Sequence, residues 1–67
     1  MERIGVLIMI ENEITDDILN HQMISDEKLS EYAKRVEDVD VFFADELTQR
    51  KKQAILDYLT SLKAKEQ

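Results

Sequence analysis

The chain contains no cysteine and no proline, and Gly5 is its single glycine. Without cysteine there is neither a disulfide framework nor a thiolate metal site. Residues 6–67 hold neither of the two strongest breakers of regular structure. Tight hairpins draw on glycine-containing turns, so an all-β fold is disfavoured and helices become the default. Long apolar runs are missing too. The stretch from Ile4 to Ile10 ends at Glu11, well short of the roughly 20 residues a membrane span requires. Glu2 and Arg3 precede it, which does not make the basic region of a signal peptide. Absence of cysteine fits a reducing compartment, so a soluble cytoplasmic protein is expected, with no membrane contact.

What is present is a short, charged and moderately apolar chain. Its 67 residues make one domain, 1–67. At 43% hydrophobic and 36% charged residues it is too apolar for a disordered segment. A domain this small buries little surface and is marginal alone. The usual supplements are disulfides, a metal or oligomerisation. With no cysteine, oligomerisation is the supplement to expect.

Helix signals cover most of the chain. Leu7, Ile10, Ile14 and Ile18 are spaced 3, 4 and 4, which predicts a helix over about 3–22, with a possible interruption near Thr15. "SDEKL" is the clearest start: Ser25 can cap free amides, and Asp26 and Glu27 suit the positive end of a helix dipole. Leu29, Tyr32, Ala33, Val36, Val39 and Phe43 then mark a stripe that predicts a helix over about 26–46. "DVDVFF", 38–43, also alternates with period two and could form a short strand. Leu47, Ile55, Tyr58, Leu59 and Leu62 share a third face, with Leu56 beside it, which predicts a helix over about 49–64. Lys51 occupies a slot that should be apolar. Either its methylenes lie along the surface with the charge free, or the chain breaks near Thr48, an acceptable cap. A single helix over 26–64 would be nearly 60 Å long at 1.5 Å per residue and would need a partner chain. The expected fold is all-α, a small three-helix bundle completed by homodimerisation. The alternative is a short N-terminal strand paired across a dimer and followed by helices.

"GVLIMIENEI", 5–14, sharpens that expectation. From Val6 to Ile10 it is apolar on every side, and a helix apolar all round is a buried one. A second polypeptide, most simply another copy, is expected to cover the face that one short chain leaves open.

Little in the sequence carries chemistry. His21 is the only histidine; one histidine without cysteine does not supply the usual zinc ligand sets, and it reads as a surface or helix-end residue. Carboxylates are plentiful, at Glu11, Glu13, Asp16, Asp17, Glu37, Asp38, Asp40, Asp45 and Glu46. Acid–base work requires one of them to be desolvated, and nothing in the pattern places one in an apolar pocket. "DVD" lacks the glycine and the spaced ligands of an EF-hand loop. There is no Gly-rich phosphate loop. No catalytic residue, metal or cofactor is assigned, and an enzyme is not expected.

Charge is unevenly spread. Residues 1–47 hold four basic and thirteen acidic side chains; residues 48–67 hold five basic and two acidic ones, within a net charge of −6. The basic last helix can pack against acidic faces of its own chain or a second copy. It can instead use Arg50, Lys51 and Lys52 on phosphates, although a nucleic-acid-binding domain is usually basic overall. Or the acidic portion can mimic nucleic acid, or inhibit a basic partner. The aromatics Tyr32, Phe42, Phe43 and Tyr58 sit on or beside apolar stripes and read as core sooner than as base-stacking platforms. Phe42 is the exception, because neighbours on a helix point about 100° apart, as is Val41 beside it.

The expectation is a small acidic interaction or regulatory protein that binds another macromolecule without catalysis. Its dimer or partner surface would use Val6, Met9, Ile10, Val41 and Phe42. The rival is a small dimeric nucleic-acid-binding regulator using Arg50, Lys51 and Lys52.

Overall fold

A computed structural model describes residues 2–21 and 23–65; for His21, Ala64 and Lys65 it describes the backbone alone. Three helices follow in order: α1 (Arg3–His21), α2 (Asp26–Glu37) and α3 (Glu46–Lys65). No strand occurs among the described residues. The three-helix reading holds, and the N-terminal strand does not.

"GVLIMIENEI" lies wholly within α1. The amide of Val6 closes the first turn on the Glu2 carbonyl at 3.2 Å. α1 is not interrupted at Thr15. The Thr15 hydroxyl donates to the carbonyl of Glu11 at 3.0 Å, one turn back along its own helix, and so makes no cap. Residue 22, the expected last position, lies outside the described residues.

α2 starts as its cap signal requires. The Ser25 hydroxyl accepts from the Lys28 amide at 3.2 Å, Asp26 and Glu27 fill the first turn, and Lys34 and Arg35 fill the last. The acidic first turn complements the helix dipole, as do Lys34 and Arg35 at the other end, where Glu37 and Asp38 oppose it. The helix stops at Glu37, however, and does not reach 46. The Asp38 amide caps back onto Lys34 at 2.9 Å, and Val39 bonds Val36 at 3.1 Å, a tightened last turn. Asp40 then turns the chain by accepting the Phe42 amide on its side chain at 3.0 Å. Aspartates compete in this way for backbone amides and favour turns over helix interiors. "DVDVFF" is thus neither helix nor strand but the loop that reverses the chain.

α3 begins three residues earlier than Thr48 would suggest. Its cap is Asp45, whose side chain accepts the Thr48 amide at 2.9 Å, and whose carbonyl accepts the Gln49 amide at 3.1 Å. Thr48 is a buried residue of the first turn, and its hydroxyl and amide hold the Asp45 carboxyl below its usual range. The chain does break before the last helix, but over residues 38–45.

The helices run up, down and up. Glu13 meets Arg35 and Asp17 meets Tyr32, so α1 and α2 are antiparallel. Lys52 reaches the C-terminal carbonyl of α2, so α2 and α3 are antiparallel as well. Between them lie Leu7, Ile10 and Ile14 of α1, Ile24 from the link before α2, Leu29, Tyr32 and Val36 of α2, and Ile55 and Leu59 of α3. Val6, Ile18, Ala33, Val39, Val41, Leu56 and Leu62 pack around that core. Each helix contributes the stripe its spacing marks out. Three members of the marked stripes do not join it: Phe43, Leu47 and Tyr58 are exposed.

Candidate interaction surface

The loop between α2 and α3 carries the most exposed aromatic side chains. Phe42 is 77% and Phe43 90% exposed. Their rings meet edge to face, 4.8 Å apart at 85°, a favoured aromatic geometry. Leu47, the second residue of α3, is exposed a few residues further along.

This loop is fastened from beneath. Val39 and Val41 turn inward onto the core. Ala44 bonds Val41 through the backbone at 3.0 Å. The Gln49 side-chain amide, rising from α3, donates to the carbonyls of both Val41 and Ala44, at 3.1 Å each. Lys52 donates to the carbonyls of Glu37 at 3.1 Å and Val39 at 2.8 Å. A cation at the C-terminal end of α2 satisfies orphaned carbonyls and offsets the negative end of the dipole. Under Phe42 lies a shallow recess of about 440 Å³ bounded by Val41, Gln49, Lys52, Gln53 and Leu56. The side chains at 42 and 43 therefore project from a main chain held at both ends and in the middle.

Five carboxylates lie along the same loop and its flanks: Glu37, Asp38, Asp40, Asp45 and Glu46, all exposed. No lysine or arginine occurs from 36 to 49.

The expected interface residues divide. Phe42 is exposed, Met9 is 46% exposed, and Val6 and Val41 are half-buried against the core. Ile10 is only 2% exposed and is a core residue, not an interface residue. α1 turns its Leu7–Ile10–Ile14 side inward and leaves Ile8 and Met9 outward. The neighbours decide this: Glu13 and Asp17 mark the α2 side of α1, and Glu11 marks its α3 side.

Phe43 and Leu47 were not expected at a surface. Phe43 falls on the α2 stripe if that helix runs on to 46, and Leu47 shares the stripe of the last helix. The signal that would have found them is "ADEL": Asp45 as cap and Glu46 in a first turn, which frees Phe43 from any helix.

The basic cluster is occupied within the chain. Arg50 pairs with Glu46 at 2.7 Å, one turn away. Lys51 pairs with Glu11 across the α1–α3 seam at 2.8 Å, which explains a lysine in an apolar slot: its charge sits at the edge of the packed face. Lys52 is on the α2 and loop carbonyls. Of the three, the Lys51–Glu11 pair is the one that joins the basic last helix to an acidic side chain of another helix.

The titratable groups with shifted pKa are structural. Arg35 grips Glu13 with both nitrogens, at 3.1 and 2.7 Å, and that hydrogen-bonded pairing holds the Glu13 carboxyl below its usual range and pushes the Arg35 guanidinium up. Tyr32 donates to Asp17, with Lys28 and Arg35 near its ring. Burial, and then that bond, push its phenol up to about 12. Among the described residues no three His, Cys, Asp or Glu side chains converge on a common point for a metal. No described helix is long and apolar enough to cross a membrane. The His21 side chain lies outside the described residues.

A raised phenol pKa favours the folded state while the phenol is neutral. That stabilisation is whole below pH about 10, the ordinary tyrosine value, and is lost as pH rises through about 12. In a Tyr58→Phe background, absorbance at 295 nm is expected to place the remaining phenolate midpoint near 12, together with loss of helical circular dichroism. Adding Tyr32→Phe is expected to cost about 1–2 kcal/mol at neutral pH, since a buried hydroxyl bonded to a carboxylate is lost. The same change should flatten the stability slope between pH 10 and 12. A Tyr32 midpoint near 10 in a protein still folded contradicts the Tyr32–Asp17 contact.

Compared with known proteins, the chain matches no family model, and no curated protein or solved structure is detectably similar to it.

Proposed function

We propose that this protein is a small non-catalytic interaction module that binds another protein through the Phe42–Phe43 knob, with Leu47 beside it. One observation carries the reading. The most exposed apolar side chains stand on a loop whose main chain is fixed by Asp40, Gln49 and Lys52. Aromatic anchors in rigid settings dominate binding energy at interfaces, and prior ordering lowers the entropic cost of association. Exposed apolar groups that serve no contact are a liability to solubility, yet here hydrogen bonds hold the loop that displays them.

Self-association is a second reading, favoured by Ile8 and Met9 standing exposed on α1. The nucleic-acid reading loses support, because Arg50, Lys51 and Lys52 already have partners on their own chain. Acidic mimicry of nucleic acid is disfavoured by the knob, since a phosphate backbone displays no such aromatic pair.

The test places a photo-crosslinker, p-benzoylphenylalanine, at position 43 in the source cell, with position 31 on the exposed side of α2 as control. A protein adduct confined to position 43 is the expected result. Equal adducts at both positions, or none at 43, would sink the proposal. Sedimentation of the purified chain at micromolar concentration separates self-association: a monomer removes the second reading.

A further inference from the structure

We infer that the partner presents an apolar cleft rimmed by lysine or arginine, into which the Phe42–Phe43 knob inserts. The inference rests on the knob being the binding element and adds the chemistry of what receives it. Two observations lead to it. The paired rings are convex, exposed and held edge to face, so the complementary surface is concave. Around them the only charged side chains from 36 to 49 are acidic, and three of the flanking cations are turned inward or paired: Lys52 on the loop's own carbonyls, Arg50 on Glu46 and Arg35 on Glu13, with Lys34 exposed at the end of α2. An aromatic centre with a charged rim is the usual division of labour at an interface, the centre supplying affinity and the rim steering encounter.

The same charges weigh against the other occupants. A second copy would bring carboxylates against carboxylates, and like charges across an interface are repelled. A bilayer leaflet carries anionic lipid and attracts basic segments, not acidic ones.

The experiment uses the full chain and the protein joined at position 43. The cross-linked site on that protein is mapped by peptide mass spectrometry, and association and dissociation rates are measured with the purified pair. Glu37→Gln/Asp38→Asn removes two rim charges from the C-terminal end of α2, where negative charge opposes the dipole, so the fold is not weakened. Raising salt from about 50 to 500 mM, which shrinks the screening length several-fold, is expected to slow association about tenfold or more. The double variant is expected to slow it about three- to tenfold, with dissociation changed by less than about twofold. Association unmoved by both salt and variant, with the adduct in a neutral or acidic cleft, overturns the inference while leaving the knob as the binding element. An adduct to a second copy or to lipid overturns it as well. The absence of any adduct removes the knob itself.

Discussion

Phe42→Ala/Phe43→Ala is expected to leave the fold intact and to weaken binding of the protein captured at position 43 by about 100-fold or more. The two halves of that outcome have separate causes. In the folded chain the rings are 77% and 90% exposed, so truncating them removes little buried area, and surface changes of this kind stay within about 0.5 kcal/mol. In a domain of this size that is a melting shift of about 4 °C or less. At an interface the same rings would be enclosed, and an aromatic anchor typically costs about 2 kcal/mol or more when cut to alanine. Two such losses, even if partly redundant, exceed the 2.7 kcal/mol or so that corresponds to a hundredfold. Thermal melting followed by circular dichroism and titration by calorimetry read the two halves independently. A large melting loss would show that the rings pack within the fold. Unchanged affinity would show that they do not touch the partner.

Ile14→Ala is expected to do the opposite and bring the fold close to collapse. Ile14 is 1% exposed at the centre of α1 and shares the core with Leu29, Tyr32, Val36 and Ile55. Cutting a buried isoleucine to alanine costs about 2–5 kcal/mol, through lost transfer energy and the cavity left behind. At about 0.05–0.15 kcal/mol per residue, a chain of 67 residues has a stability of the same order. A melting loss of roughly 10–30 °C follows at about 4–8 °C per kcal/mol. Ile8→Ala, six residues away on the same helix and 41% exposed, is expected to cost less than about 1 kcal/mol. That contrast bears on the apolar run at the start of the chain. If Ile8→Ala proves as damaging as Ile14→Ala, the outer side of α1 is covered in solution, and a second copy becomes the natural cover.

Much of the architecture is readable in the residues, and the reasons are local. Without proline, and with one glycine, a chain carrying Leu7–Ile10–Ile14 and Leu29–Tyr32–Val36 has few alternatives to helices. Ser25 announces α2 because a cap is a short-range interaction. The end of α2 is harder to read because the apolar period runs past the helix: Val39 and Val41 still pack on the core, from a loop. Periodicity reports burial, and burial need not be helical. The surface is harder still. Which side of the apolar run from Val6 to Ile10 faces water is decided by α2 and α3, and that sent Ile10 to the core and Met9 outward. Gln49 gives no sequence signal at all, because it acts on main-chain carbonyls five and eight residues back.

That clamp has a consequence for how the protein can change over generations. Gln49 grips the carbonyls of Val41 and Ala44, and Asp40 grips the amide of Phe42. All three bonds end on backbone atoms common to every residue except, at the amide, proline. The shape of the loop is thereby written at positions 40 and 49, whereas the groups it displays are written at 42 and 43. If the knob is the binding element, substitution at the displayed positions alters partner preference without dismantling the support. Drift at Asp40 or Gln49 has no such freedom.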